Sequence, residues 1–232
     1  AGADSEGGMT EVRARRTQAE RSAGTRSALL AAAIRVLHEH GYGATTTMLV
    51  AEQAGVSRGA MLHQFRTKAD LMTFVVEAVY AEELERYAER LRAMSGPREI
   101  ILAYPEVVWE VLSRPSGVAV LEILQGSRSD PVLAEKLGPI QARIENDALA
   151  YVRNTTGVSS TSLAFMRLIV WSVRGLSIAS VLTPEPGQIQ ESVRMLRGLI
   201  KAGIKTGMLP IGDEDAPPAA SDRAAQSKGT KP

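Results

Sequence analysis

The sequence predicts an all-α protein, and three observations indicate this class. Apolar residues recur at intervals of three and four over most of the chain, which is the period of an amphipathic helix. Three short segments of this kind fill residues 25–66 and leave no room for a strand. Serine or threonine precedes several segments and glycine follows others, which is typical of helix starts and ends.

The first two predicted helices have clear boundaries. Residues 25–41 have Leu29, Ala33 and Leu37 on one face, and a glycine ends the segment. Thr46 is a suitable N-cap for the second helix, and Gly55 supplies the left-handed residue that closes it.

The third helix follows in the segment AEQAGVSRGAMLHQF, residues 51–65. Ser57 is the predicted N-cap, and Val56 and Met61 are placed as a hydrophobic staple that sets the entry angle of the helix. At 100° per residue, Met61 and Phe65 share the buried face. Gly59 points away from that face, although glycine inside a helix costs about 1 kcal/mol relative to alanine. This outer face is therefore expected to let something bulky approach the backbone.

A long helix and several shorter ones are predicted to follow. The first, residues 68–94, would span about 40 Å and could link two domains. We expect Pro105 to interrupt a helix at 98–112, and Gly138 with Pro139 to kink or split a segment that starts at Asp130. The remaining predicted helices cover residues 117–128, 163–182 and 189–204.

The segment 163–182 is apolar almost all round, and Arg167 and Arg174 are its charged residues. A membrane span is the alternative reading, but two arginines in twenty residues make it costly. We expect instead a helix buried on both faces, with its own core on one side and a second subunit on the other. The sequence thus predicts a homodimer through the last two long helices and no membrane segment.

Charge is distributed unevenly along the chain. Residues 9–68 contain nine Lys and Arg against four Asp and Glu, a net charge of +5, whereas the whole chain has a net charge of +1. Such a cluster is expected of a segment that binds a polyanion. The chain has no cysteine, which fits a reducing cytoplasm, and residues 1–8 lack the apolar core of a signal peptide. Residues 1–8 are native or a cloning remnant.

A helix, a glycine turn and a second short helix with small exposed residues form the helix-turn-helix that enters the DNA major groove. Small residues at the start of the third helix would bring its backbone and its positive dipole close to the DNA. Together with the local charge of +5, this pattern favours binding to double-stranded DNA.

The segment GYGATTTMLVAEQAGVSRGAMLHQFRTKADLM, residues 41–72, resembles the DNA-binding signature of the TetR family of transcriptional regulators. The resemblance implies a homodimer on a palindromic operator. Each subunit would have a three-helix DNA-binding domain and a helical domain for ligand binding and dimerisation. It also implies repression until an effector binds.

The resemblance assigns DNA-binding roles position by position. Thr46 would contact phosphate, and Ser57 would cap the recognition helix. The residues that would lie in the groove are Arg58, Gly59 and Ala60.

Three further positions extend this assignment, and two others depart from the family pattern. Lys68 would hold a phosphate at the start of the fourth helix. Leu62 and His63 stand where family members commonly have aromatic residues; Leu62 could meet a thymine methyl group and His63 a phosphate or base. Met48 and Leu49 replace usually polar residues and are expected to add packing.

The C-terminal domain has candidates for an effector pocket. Its aromatic candidates are Tyr104, Trp109 and Trp171, although helical aromatic residues commonly belong to a core. The polar groups that could orient a small, largely apolar effector are Glu122, Gln125 and Arg174.

Enzymatic and metal chemistry find little support in the sequence. His38 and His40 are two residues apart and do not share a helix face, which makes them poor metal ligands. No histidine follows residue 63, so the common hydrolase and zinc constellations are missing from the C-terminal part. A carboxylate-only enzyme would have to use Glu106, Glu110 or Glu122. We expect no catalytic activity, no metal and no cofactor.

The predicted organisation has four parts. A flexible basic arm covers residues 1–24, the helix-turn-helix domain 25–70, the effector and dimerisation domain 71–209, and a disordered tail 210–232. The predicted function is that of a cytoplasmic, dimeric regulator, a repressor released from its operator by an effector. The alternatives are a DNA-binding regulator without an effector and an α-helical enzyme with a DNA-binding head.

Overall fold

The computed structural model describes residues 18–156, 163–182 and 185–209, and these ranges contain helices and turns but no strand. The all-α prediction is confirmed. The helices are α1 (Gln18–Ala44), α2 (Thr47–Gln53), α3 (Arg58–Gln64), α4 (Lys68–Arg92), α5 (Pro97–Leu112), α6 (Pro115–Gly126), α7 (Pro131–Thr156), α8 (Leu163–Leu182) and α9 (Pro186–Lys205), with a 3₁₀ turn at Ser127–Ser129. The predicted tail at 210–232 and most of the predicted arm lie outside the described residues.

Two expectations about helix boundaries are wrong. Residues 18–24, expected in the arm, belong to α1. The other error concerns prolines, since Pro105 does not interrupt α5 and Pro139 does not split α7. Leu137 before Pro139 and Ile140 after it pack into the same core, so tertiary packing outweighs the one lost backbone hydrogen bond.

Helices α1, α2 and α3 and the first turns of α4 form an N-terminal head. The caps predicted from the sequence are present: Thr46 Oγ1 accepts a hydrogen bond from the Leu49 N–H at 3.1 Å, and Ser57 Oγ accepts one from the Ala60 N–H at 3.2 Å. Thr67 and Asp70 form a reciprocal capping box at the start of α4. These caps fix where α3 begins relative to α2 and α4.

Helices α5 to α9 form the body, and their core lies mainly between α5, α8 and α9. Val108, Val173 and Ile200 are at most 3% exposed and pack into this core. The predicted apolar seam of α9 is present, with Ile189 and Val193 buried.

The head and the body share an apolar core that joins α1 to α6 and α7, and further polar contacts between them lie around Tyr42, at the C-terminal end of α1. The Tyr42 N–H donates to Glu122 Oε2 on α6 at 3.0 Å, and its hydroxyl donates to Asp130 Oδ2, just before α7, at 2.6 Å. Lys68 Nζ donates to the Tyr42 carbonyl oxygen at 2.7 Å and lies 3.7 Å from the centre of its ring. A side chain at Gly126 would overlap that ring. We call Tyr42, Lys68, Glu122, Gly126 and Asp130 the junction.

The junction leads to a stability prediction. Gly126→Ala places a methyl group inside the Tyr42 ring and should lower the free energy of unfolding by roughly 1–3 kcal/mol. Gly24→Ala in α1 is the matched control, because its added Cβ meets no atom within 4 Å and removing a helical glycine should stabilise the protein by up to about 1 kcal/mol. Chemical denaturation of both variants measures the difference. Equal stability of the two variants would contradict the tight packing around Tyr42.

Candidate nucleic-acid interface and effector cavity

The outer face of α3 has the geometry expected of a groove-binding helix. Arg58, Gly59 and His63 are exposed, Leu62 is 48% exposed, and Ala60 is half-buried. A Cβ added at Gly59 would meet no atom within 4 Å, so the packing of the chain itself does not require a glycine there. The opposite side of α3 is anchored, because Met61 and Phe65 lie in the head core.

The start of α2 borders this face. Thr46 is exposed and already serves as the N-cap of α2. Leu49 packs against the head core, which accounts for its apolar character. Met48 is 49% exposed, so the expectation that it adds packing is wrong within this chain.

The basic residues of the head are not equally available to a ligand. The Arg26 guanidinium lies over the rings of Phe65 and Phe74, and Arg35 donates to the Gln53 carbonyl oxygen at 3.2 Å. Lys68 is half-buried with its ammonium on Tyr42, and burial lowers its pKa. The predicted phosphate contact of Lys68 therefore stays a prediction and competes with the junction.

A cavity of about 80 Å³ lies in the body, between α4, α5, α6, α7 and α8. Tyr104, Trp171 and Arg174, three of the six residues predicted for the effector pocket, line it. The lining also includes polar and aromatic groups that sequence analysis missed, which are Tyr80, Glu83, Tyr87, Gln141, Glu145 and Arg167.

The other three predicted pocket residues lie outside this cavity. Trp109 packs at the edge of the body core, and Gln125 is exposed. Glu122 is held in the junction by the Tyr42 N–H. The periodicity of a single helix cannot show which residues line the cavity, because its walls come from five helices whose rotations are set by packing.

Glu83 is the most unusual residue of the cavity. Glu83 is only 6% exposed, and its Oε1 atom has no hydrogen-bond partner. Burial raises the pKa of Glu83 to about 7, and the positive charge of Arg174 opposes part of this rise. The sequence contained a signal, since Val76, Glu83 and Tyr87 lie seven and four residues apart and so share a face of α4.

Arg174 is the second buried charge of the cavity. It is 9% exposed, and its Nη1 donates to the Gly117 carbonyl oxygen at 3.4 Å. Arg167 also lines the cavity, but its Nη2 lies 2.6 Å from Glu145 Oε2. That ion pair is neutral as a unit, so Glu83 and Arg174 decide the charge of the cavity.

Of the three carboxylates considered for catalysis, Glu122 belongs to the junction, and the other two lie at ion pairs. Glu110 pairs with Arg90 at 2.7 Å, and Glu106 lies 3.6 Å from Arg197. Neither lines the cavity. Within the described ranges, no group of three or more His, Cys, Asp and Glu residues has the arrangement of a metal site.

Comparisons with known proteins agree with this architecture. The profile described as "Bacterial regulatory proteins, tetR family" matches residues 29–73. The HTH-type transcriptional regulator CymR of Pseudomonas putida is 33% identical over 171 residues, which cover 72% of this chain and 84% of that protein. An HTH-type transcriptional regulator of Mycobacterium tuberculosis is 25% identical over 193 residues, covering 82% of this chain and 99% of the relative.

A solved structure supports the fold over most of its length. A transcriptional regulator from Rhodococcus sp. superposes with a TM-score of 0.58 at 21% identity, over 77% of this chain and 96% of that one. Since the relative from Pseudomonas putida is 33% identical and matched over 84% of its length, the chain belongs to the TetR family of bacterial transcriptional regulators.

Proposed function

We propose that the chain is a dimeric repressor that leaves its operator when a small, largely apolar molecule occupies the cavity. The observation that carries this proposal is the path of α4. Leu71, Met72 and Val75 on this helix pack into the core that supports α3, and Tyr80 and Glu83 on the same helix line the cavity. A ligand that displaces the second half of α4 therefore acts on the element that supports the recognition helix.

Operator binding would use the exposed face of α3. Arg58 and Gly59 lie at its N-terminal end, where the helix dipole favours a phosphate. A dimer on a palindrome must hold its two recognition helices about 34–36 Å apart, or a multiple of one DNA turn. An effector lowers operator affinity only if it binds more tightly to a conformation that lacks this spacing.

The proposed dimer would form through the outer faces of α8 and α9. Helix α8 is apolar and long enough to pass as a membrane span by length and composition, yet only 22% of its most apolar window is buried within the chain. Leu168 and Leu199 are more than 60% exposed, and Trp171 and Ile178 are each 45% exposed. A second copy covers such a surface in this proposal, as in other DNA-binding regulators of the family. We place the protein in the cytoplasm, where its operator is.

The first prediction concerns the DNA-binding face. Arg58→Ala should lower the slope of log affinity against log salt by about two units, because each subunit of the proposed dimer loses one phosphate contact. Arg114→Ala, an exposed residue at the start of α6, is the control and should leave the slope unchanged. Fluorescence anisotropy with an operator selected from random duplex DNA measures both. If Arg58→Ala and wild type have identical slopes, Arg58 at the start of α3 does not contact a DNA phosphate.

The second prediction concerns the dimer. Gly175 on α8 is exposed and has no atom within 4 Å of an added Cβ. Gly175→Arg should therefore fold, yet bring a charge into the proposed interface and produce monomers. Ala142→Arg on the exposed side of α7 should remain dimeric. Sedimentation velocity at micromolar concentration separates the outcomes, and a wild-type monomer under these conditions would contradict the proposed interface.

The third prediction tests the effector function itself. Ala148→Phe fills the cavity, whereas Ala150→Phe adds the same ring to the exposed side of α7. Small molecules that raise the melting temperature of wild type and Ala150→Phe should not raise that of Ala148→Phe. Those molecules should also weaken operator binding by roughly 5- to 150-fold while the dimer stays intact. If ligands bind in the cavity without changing operator affinity, the protein is a regulator that does not respond to an effector.

A further inference from the structure

The two charges of the cavity differ in one chemical property. Glu83 and Arg174 are each less than 10% exposed, and both line the cavity. Arginine keeps its proton at every pH that a folded protein meets. A buried carboxyl group, in contrast, can accept a proton near neutral pH, and burial raises the pKa of Glu83 to about 7. The cavity can therefore lose its negative charge at little cost, but it cannot lose its positive charge.

This difference selects among ligands. A cationic ligand would satisfy Glu83, but it would be repelled by Arg174 in a site where charges interact strongly. An anionic ligand would accept hydrogen bonds from the Arg174 guanidinium, and its repulsion by Glu83 ends once that carboxyl group takes up a proton. The protonated Glu83 carboxyl group can then donate a hydrogen bond to the ligand, which gives its unpartnered oxygen a partner.

The rest of the lining describes the body of the ligand. Aromatic rings of Tyr80, Tyr87, Tyr104 and Trp171 come from three helices and line the space. A buried water needs about 10–15 Å³ by a comparable measure, so 80 Å³ holds roughly five to eight such groups. That space fits one ring with a small substituent.

We propose that the cavity binds a small aromatic monocarboxylate, whose carboxylate group is held by Arg174 and by a protonated Glu83. This inference rests on the proposed function, because it names the chemical class of the effector for the same cavity. The apolar ring lies among the tyrosines and Trp171, and the Glu145–Arg167 pair stands beside it as a neutral unit.

Proton uptake is the consequence that distinguishes this ligand class. The charged and titratable groups around Glu83 are Glu82, Tyr80 and Tyr87 on α4, Tyr104 on α5, Glu145 on α7, and Arg167 and Arg174 on α8. Burial raises the pKa of Tyr80 to about 12 and that of Tyr87 and Tyr104 well above the ordinary value, so these phenols stay neutral. Between pH 6 and 8.5, Glu83 is thus the group whose charge must change on binding.

The test uses three probes with one shape and three charges, namely benzoate, benzamide and benzylamine, with the full chain and isothermal titration calorimetry. Benzoate should bind most tightly. Its affinity should fall about 30-fold from pH 6.0 to 8.5, because only the protonated fraction of Glu83 is competent. In Glu83→Gln this fall should disappear, since an amide donates a hydrogen bond at every pH.

Two variants test whether Arg174 holds the carboxylate group of the ligand. Arg174→Gln should lower the affinity for benzoate at least tenfold and leave the affinity for benzamide within about threefold of the wild-type value. Arg194→Gln, an exposed residue on α9, should match wild type for both probes. If Arg174→Gln fails to fold, the pH dependence of wild type and Glu83→Gln still decides the question.

The outcomes separate this inference from the proposed function. If benzylamine or benzamide binds in the cavity and benzoate does not, the carboxylate assignment is wrong, although the cavity remains an effector site. Benzoate binding with equal affinity at pH 6.0 and 8.5 would also overturn the role of Glu83. If none of the three probes binds, both the carboxylate class and the effector function lose their support.

Discussion

One helix, α4, belongs to two packed regions, and this sharing constrains the rest of the molecule. Its first turns are capped by Thr67 and Asp70 and support α3 from behind, while its second half forms a wall of the cavity. The junction adds a second connection, because Tyr42 joins the end of α1 to α6 and to the residue before α7 through two hydrogen bonds. The head is therefore packed against the body along α4, at the junction and through the apolar core that α1 shares with α6 and α7, and a change in the cavity has a continuous path to α3.

The cavity combines features that stability alone would not favour. An unpartnered buried oxygen costs about 1–3 kcal/mol, and Glu83 has one. Because a leucine at this position would avoid that cost, the carboxyl group makes sense if a ligand uses it. The exposed apolar faces of α8 and α9 follow the same logic, since Leu168 and Leu199 are costly in water and useful in an interface. Both features point to partners outside the isolated chain.

The sequence predicted local structure well and long-range contacts poorly. The caps Thr46 and Ser57 and the exposure of Gly59 depend on residues within one turn, so their pattern can be read directly. Pro139 did not split α7, because packing on both sides of it could not be seen locally. The position of Glu122 depends on Tyr42, eighty residues away, and no spacing rule connects them.

We propose that occupation of the cavity moves the recognition helices, and a distance measured between the two heads can test this. The chain has no cysteine, so Glu52→Cys on the exposed side of α2 gives one spin label per subunit of the proposed dimer. Pulsed electron paramagnetic resonance then measures the distance between the two heads with operator alone and with a ligand that binds the cavity. We expect one distance on the operator and a different one, with DNA released, when the ligand is bound. An unchanged distance distribution in a ligand-saturated dimer would contradict it.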